Sequence, residues 1–274
     1  MSLTLTILGC GSSGGVPRVG QGGWGACDPQ NPKNRRRRCS LHVEKRGPRG
    51  ATDILVDASP DLREQLLDLG AAKLDAVLLT HAHADHIHGV DDVRPLVIDA
   101  RKRIPACMDA ATSAEMHAKF GYIFKTPPGS NYPPLMDEVR IEPGRAFAVE
   151  GLGGPVETTP ILFRHGEIDA LGFRFGAVAY SPDLKDIPPA SQRLLEGLDL
   201  WIIDALRYVS HPSHITVAEA LAWIERLQPR RAILTNLHVD LDYEKLRAQL
   251  PPHIAPAFDG MRIEIDAGSE IRTT

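Results

Sequence analysis

Apolar residues along the chain fall into two alternating regimes, one of short runs with period two and one with helical spacing. Residues 3–8 (LTLTIL) alternate cleanly and predict a first strand, followed by a glycine-rich loop. Residues 41–45 and 53–57 predict two further strands, the second ending on an acid. Residues 60–69 (PDLREQLLDL) predict a helix with Pro60 at its start and Gly70 just past its end. The run 75–80 (DAVLLT) reads as a buried strand that leads straight into His81.

Further along, 156–163, 171–175, 177–180, 200–204, 231–236 and 262–266 are strand candidates. Between them, 216–227 carries Val217, Ala220, Leu221, Ile224 and Leu227 on one helical face, the spacing of a helix laid on a sheet. The first half is strand-rich and helices alternate with the later strands, which predicts a layered α/β architecture. No repeat, low-complexity linker or break in composition divides the 274 residues, so one domain over 1–274 is expected.

Composition narrows the classes. The chain is 43% hydrophobic and 24% charged, ordinary globular values that exclude disorder, collagen and coiled coil. With 31 Lys and Arg against 35 Asp and Glu the net charge is −4, which disfavours a nucleic-acid coat or a membrane-surface protein. No run approaches the roughly 18 apolar residues of a membrane helix. The N-terminus lacks a basic segment, so no signal peptide is expected. Cys10, Cys27, Cys39 and Cys107 show no CxxC pair, and a reduced, cytoplasmic protein follows as the expectation.

Eleven histidines against four cysteines make imidazole and carboxylate the expected metal ligands. The informative run is His81-x-His83-x-Asp85-His86, directly after the 75–80 strand. Alternation points His81 and His83 the same way, and the following turn can aim Asp85 and His86 at an adjacent site. A packing role does not account for three imidazoles and a carboxylate in six loop residues.

This run resembles the signature of the metallo-β-lactamase superfamily. The resemblance implies a four-layer αβ/βα sandwich, two divalent ions (zinc or manganese) and ligands on later strand ends. His165, Asp183 and His238 fit those places. The implied set is His81, His83 and His165 on one ion, Asp85, His86 and His238 on the other, and Asp183 between them. His88 falls outside the motif, and His42, His117 and His253 have no supporting context.

Two further segments, residues 8–17 (LGCGSSGGVP) and 57–63 (DASPDLR), resemble the branch of phosphoribosyl 1,2-cyclic phosphate phosphodiesterases. They resemble transfer-RNA 3′-processing endonucleases more distantly, and the second also resembles a relative linked to pyrroloquinoline quinone synthesis. In such phosphodiesterases a histidine before a helix-capping Ser or Thr protonates the leaving alkoxide. His214 fits that role, with His211 as its competitor for the acid or a substrate contact. Thr216 and Glu219 form a capping-box pattern behind it.

The loop 9–14 formally matches GxGxxG, but no helix follows it and no acid ends a second strand about 20 residues on, so dinucleotide binding is rejected. Lys33 and Arg35, Arg36, Arg37 and Arg38 form a basic loop, at most one of whose arginines is expected to touch substrate. The first loop lacks the clustered cysteines of the phosphonate-pathway enzyme, so no structural zinc is expected.

The resulting expectation is a dinuclear hydrolase cleaving a small phosphorylated or nucleotide-like diester by metal-hydroxide attack, with Asp85 and His214 at the reacting centre. It has no membrane or stable nucleic-acid partner, and a homodimer is compatible with it. A thioesterase or lactonase of the same fold, or a non-hydrolytic metal-binding protein of a cofactor pathway, are the competing readings.

Overall fold

The computed structural model describes residues 3–266, 268 and 270–274, so Met1 and Ser2 of the N-terminal reading lie outside it. Fifteen strands lie among the described residues. The first six are β1 (Leu3–Gly9), β2 (Ser40–Gly47), β3 (Gly50–Val56), β4 (Ala76–Leu78), β5 (Ile104–Met108) and β6 (Met136–Arg140). Then come β7 (Phe147–Val149), β8 (Val156–His165), β9 (Ile168–Phe175), β10 (Val178–Ser181), β11 (Leu200–Asp204), β12 (Arg231–Thr235) and β13 (Ile254–Pro256). Last are β14 (Arg262–Ile265) and β15 (Ile271–Thr273).

They form two sheets, ordered β15-β14-β1-β2-β3-β4-β5-β6 and β13-β12-β11-β10-β9-β8-β7. Each sheet has an antiparallel half and a parallel half. β3, β4, β5 and β6 run parallel in one, and β10, β11, β12 and β13 in the other.

Seven α-helices lie among the described residues: α1 (Leu62–Leu69), α2 (Ala84–Ile87), α3 (Arg94–Ala100), α4 (Ala110–Phe124), α5 (Pro189–Arg193), α6 (Val217–Leu227) and α7 (Tyr243–Gln249). The core divides into three slabs. Between the sheets, Leu5, Ile7, Val43 and Val56 meet Phe173, Tyr180, Leu200 and Ile202. Outside the first sheet, Leu55, Val77 and Met108 pack on Leu62, Val97 and Met116 of the helices. Outside the second, Trp201, Ile203 and Leu234 pack on Ala220, Ile224 and Leu246. Helix, sheet, sheet, helix is the four-layer sandwich that the resemblance implied.

Strand β11 shows how both faces are used. Leu200 and Ile202 face the opposite sheet while Trp201 and Ile203 face the helices, and all are fully buried. Burying each such side chain contributes roughly 1.5–3 kcal/mol.

Element ends follow local chemistry. Gly70 takes φ 67 and closes α1 with a left-handed cap. Thr216 caps α6 with the full capping box: its side chain accepts from the Glu219 N–H at 3.1 Å, and its own N–H donates to Glu219 Oε2 at 2.7 Å. That cap fixes where His214, two residues upstream, enters the helix.

Candidate metal centre

The site lies where β3, β4, β8, β10, β11 and β12 end and their loops converge. Strand β4 delivers Thr80 and His81, and α2 carries Asp85 and His86 in a single turn. Strand β8 ends on His165, β10 leads through Ser181 and Pro182 to Asp183, and β11 ends on Asp204. Of the four non-glycine residues with positive φ, two sit at strand ends in this site, Asp57 at φ 63 and Asn236 at φ 60. Asp and Asn tolerate this conformation best among side-chain-bearing residues, and it swings each side chain sharply off its strand toward the site.

His81, His83, His165 and Asp183 each offer a ligand atom, all within 4.8 Å of one another. His81 Nε2 lies 3.0 Å from His83 Nδ1, and His165 Nε2 lies 3.3 Å from His83 Nδ1 and 3.4 Å from Asp183 Oδ2. On the other side of Asp183, its Oδ1 is 3.4 Å from His86 Nε2, which is in turn 3.5 Å from Asp85 Oδ2. Asp183 thus stands between a three-histidine group and the Asp85–His86 pair.

The outward ring nitrogens are tied down. Thr80 donates its hydroxyl to Asp57 and so accepts from His81 Nδ1 at 3.0 Å. His86 Nδ1 donates to Asp57 Oδ2 at 2.7 Å, and His165 Nδ1 donates to the Ser213 carbonyl at 2.7 Å. Each of these three rings therefore turns Nε2 toward the centre. Anchoring of this kind fixes the tautomer of metal-binding imidazoles.

The electrostatics agree. Burial, aided by the neighbouring imidazoles, holds His81 well below the usual histidine value, and burial brings His165 down to about 4. Burial also lowers His83. His86 goes the other way: burial opposes it, but Asp183, Asp57 and Asp85 raise it. The nitrogens of His81, His83 and His165, held neutral and converging on the Asp183 carboxylate, carry no protons to fill the gap between them, so the donor set fits a divalent cation, with His83 on its solvent-exposed side.

His214 stands at the rim. Its Nε2 is 3.9 Å from Asp183 Oδ2, and its Nδ1 donates to Asp204 Oδ2 at 2.8 Å. Asp204 is fully buried, also receives the Leu184 N–H at 3.1 Å, and leaves Oδ1 without a partner. Burial would lower His214, but the Asp204 carboxylate raises it to about 9. Burial pushes the Asp204 carboxyl up to about 6, so near neutral pH it is still the carboxylate that holds the His214 proton.

His211 lies outside this arrangement. Its Nδ1 faces Ser213 Oγ at 3.1 Å, and its ring is 5.1 Å from that of His214.

His238, like Asp85 and His86, lies outside the group of four whose ligand atoms fall within 4.8 Å of one another. Its Nδ1 pairs with Asp240 Oδ2 at 3.0 Å, and burial with the charges of Arg18 and Arg207 lowers it. Asn236, just past β12, reaches the centre: its Nδ2 donates to the Pro182 carbonyl at 3.1 Å and to Asp183 Oδ1 at 3.3 Å. His88 packs edge-on against Phe120, while His42 and His117 pair with Asp53 and Glu138 away from the site.

Within the basic loop, Arg36 is buried and bonds the Leu241 carbonyl at 2.7 Å, and Arg37 pairs with Asp68 and Asp259. Arg38 pairs with Asp61 at 3.0 Å while lining the cleft beside Asp85.

Asp204 and Asn236 carry no motif in the chain, and their one sequence signal is position, since each closes or follows a strand that points at the same rim; Asp57 also opens the 57–63 run, though with no role legible from it.

Residues 52–236 match the family model for the beta-lactamase superfamily domain. A solved structure described as a new diphosphatase from the PhnP family is 36% identical, with a TM-score of 0.84, covering 96% of this chain and 97% of that one. Zn(2+)-bound PqqB from Methylobacterium extorquens shares the fold at 17% identity and a TM-score of 0.70, covering 94% of this chain and 99% of that one. A relative named octanoyltransferase, from Porphyromonas gingivalis, is 35% identical over 266 residues, 95% of this chain. This chain spans about half, 51%, of that relative's length. With the family model covering most of the chain, the four-layer fold and the histidine–aspartate cluster, the chain belongs to the metallo-β-lactamase superfamily, in its PhnP-like branch.

Proposed function

We propose that this protein hydrolyses a phosphodiester in a small phosphorylated or nucleotide-like substrate. The observation that carries the reading is His214, a proton-bearing imidazole backed by a buried carboxylate and aimed at the edge of the metal cluster. A phosphodiester's leaving group is an alkoxide that needs a proton, and a group that holds one at neutral pH at that spot supplies it. The diphosphatase relative, similar over nearly its whole length, supports phosphoryl chemistry.

His81, His83, His165 and Asp183 would hold a metal ion, and Asp85 and His86 with Asp183 offer ligands for another. A bound divalent ion there supplies Lewis acidity and brings the pKa of water down to about 7. The chain's own contribution is orientation and proton supply. Asp57 and Ser213 keep the rings turned inward, Asp204 keeps the His214 proton on Nδ1 and its Nε2–H toward the cleft, and the bulk of the cluster is closed to solvent.

His214→Ala is expected to retain its metal and to lose rate most on diesters with high-pKa leaving groups. Equal losses on nitrophenyl and alkyl esters would remove His214 as the acid. The octanoyltransferase relative favours one second reading, hydrolysis of an acyl thioester or lactone, which an octanoyl thioester tests directly.

A further inference from the structure

Outside the first sheet, at its β6 edge, α3, the end of α4 and the segment joining α4 to β6 enclose a groove that shares no residue with the metal centre. It has two pockets. One of about 450 Å³ is lined by Tyr122, Pro127 and Ser130, the other of about 390 Å³ by Val97, Ile98, Arg101, Lys102 and Pro134, and Arg94, Tyr132, Pro133 and Leu135 belong to both. Each volume falls in the range of about 300–1,000 Å³ typical of small-molecule sites. Ile98 is 60% exposed and Tyr132 73%, a concentration of open apolar surface that soluble chains seldom keep without a use.

The walls are stiff. The joining segment carries Pro127, Pro128, Pro133 and Pro134, and its own bonds hold Tyr132 outward. The Tyr132 N–H donates to Ser130 Oγ at 3.2 Å, and Thr126 Oγ1 donates to the Tyr132 carbonyl at 2.9 Å. A cavity with such walls is formed before its ligand arrives, which lowers the cost of binding. Its charge has one sign. Among the described residues no acid lines either pocket, the nearby Asp91 and Asp137 are taken up by Arg94 and Arg103, and Arg101 and Lys102 pair with no carboxylate. Arg101 also stands at φ 49, the left-handed C-cap of α3, where glycine is the easy residue. An exposed, unpaired side chain in that conformation gives the fold no ion pair in return.

We propose that the groove binds a medium-chain aliphatic carboxylate, its chain laid over Val97, Ile98, Pro133 and Leu135 beside the Tyr132 ring and its head group on Arg101 and Lys102. The inference is independent of the phosphodiester reading. The apolar floor and the cationic end match the two halves of such an amphiphile. An extended peptide fits less well, because its backbone N–H and C=O groups would meet prolines and aliphatic side chains there and lose their partners.

The test is calorimetric titration of sodium decanoate, kept below its micellar concentration, into wild type, Ile98→Asp, Lys102→Glu and Arg101→Gly, with decyltrimethylammonium as the cation of equal chain length. Wild type is expected to bind one decanoate per chain saturably, and the cation roughly tenfold more weakly or worse, the scale of a charged hydrogen bond. I98D and K102E should each weaken decanoate binding about tenfold. R101G should weaken it as much while melting no lower than wild type, because glycine takes a φ of 49 without strain. Absence of saturable binding, equal affinity for the two amphiphiles, or decanoate affinity unchanged in the variants overturns the proposal. Binding to phosphatidylglycerol vesicles without binding of free decanoate also overturns it, and would assign the groove to a membrane surface instead.

Discussion

Replacing Asp204 by Asn probes the link between the fold and the proton supply without touching a metal ligand. The carboxylate sits 2.8 Å from His214 Nδ1, is fully buried, and its partner imidazole is only 13% exposed. Little water screens the pair, and the carboxylate raises His214 to about 9 from the ordinary 6.5. That difference is worth about 3 kcal/mol of bias toward the protonated ring. An amide at 204 carries no charge, and its NH2 can donate to Nδ1 and select the wrong tautomer. Asn236 Nδ2, already 3.1 Å from the same nitrogen, reinforces that choice.

The protonated fraction of the ring therefore drops at neutral pH. General acid assistance of this kind is worth roughly 10²–10⁴-fold. The assay is kcat/KM on matched diesters with alkyl and nitrophenyl leaving groups, with metal content and circular dichroism as controls. A loss of about 100-fold or more is expected for the alkyl ester and less than about tenfold for the nitrophenyl ester, whose leaving group needs no proton. An alkyl-ester rate that survives the substitution, or equal losses on both, would refute the reasoning.

Asp183→Ala removes the carboxylate between the two ligand groups and is expected to deplete bound metal; a metal count equal to wild type by elemental analysis would place Asp183 outside the centre. Thr216→Ala deletes the side-chain half of the α6 capping box and should cost about 1 kcal/mol of unfolding free energy in urea. No measurable change would mean that the cap contributes nothing to stability. Glu138 is held down to about 2, first by its bond to His117 and then by Ser113 and Arg140. A lowered acid stabilises the fold above its ordinary value of 4.5 and loses that contribution as pH falls toward 2. Glu138→Gln should thus be less stable than wild type by about 1 kcal/mol near pH 7, and the two should converge near pH 2. A gap that persists in acid contradicts this.

Much of the architecture can be read from the chain because its strands and amphipathic helix carry their own patterns. The alternation in 3–8, the helix 216–227 with its capping residues and the buried runs at 200 and 231 all match observed elements closely. What escapes notice has physical causes. Pro105 lies inside β5, where a pattern reading expects no proline, and the edge strands β6 and β7 are too exposed or short to alternate visibly. Helix α4 shows a weak apolar stripe and contains Gly121.

In the site, the compact run from His81 to His86 is legible because four donors fall within six residues. Asp57, Asp204 and Asn236 are not, since their roles arise only when distant strand ends meet. His238, two residues past Asn236, is legible as a candidate ligand by its place after a late strand, and the carboxylate of Asp240 that holds its Nδ1 appears only in the folded chain.

The central claim is metal-dependent cleavage of a phosphodiester, and turnover of bis(4-nitrophenyl) phosphate tests it most directly. The protein is stripped with chelator, reloaded with zinc or manganese, and compared side by side on that diester, an octanoyl thioester and a lactone. The account predicts diester hydrolysis that vanishes on stripping and returns on reloading, well above any thioester or lactone turnover. Diester activity indifferent to chelation, or a reloaded enzyme that cleaves only the thioester or lactone, would contradict it.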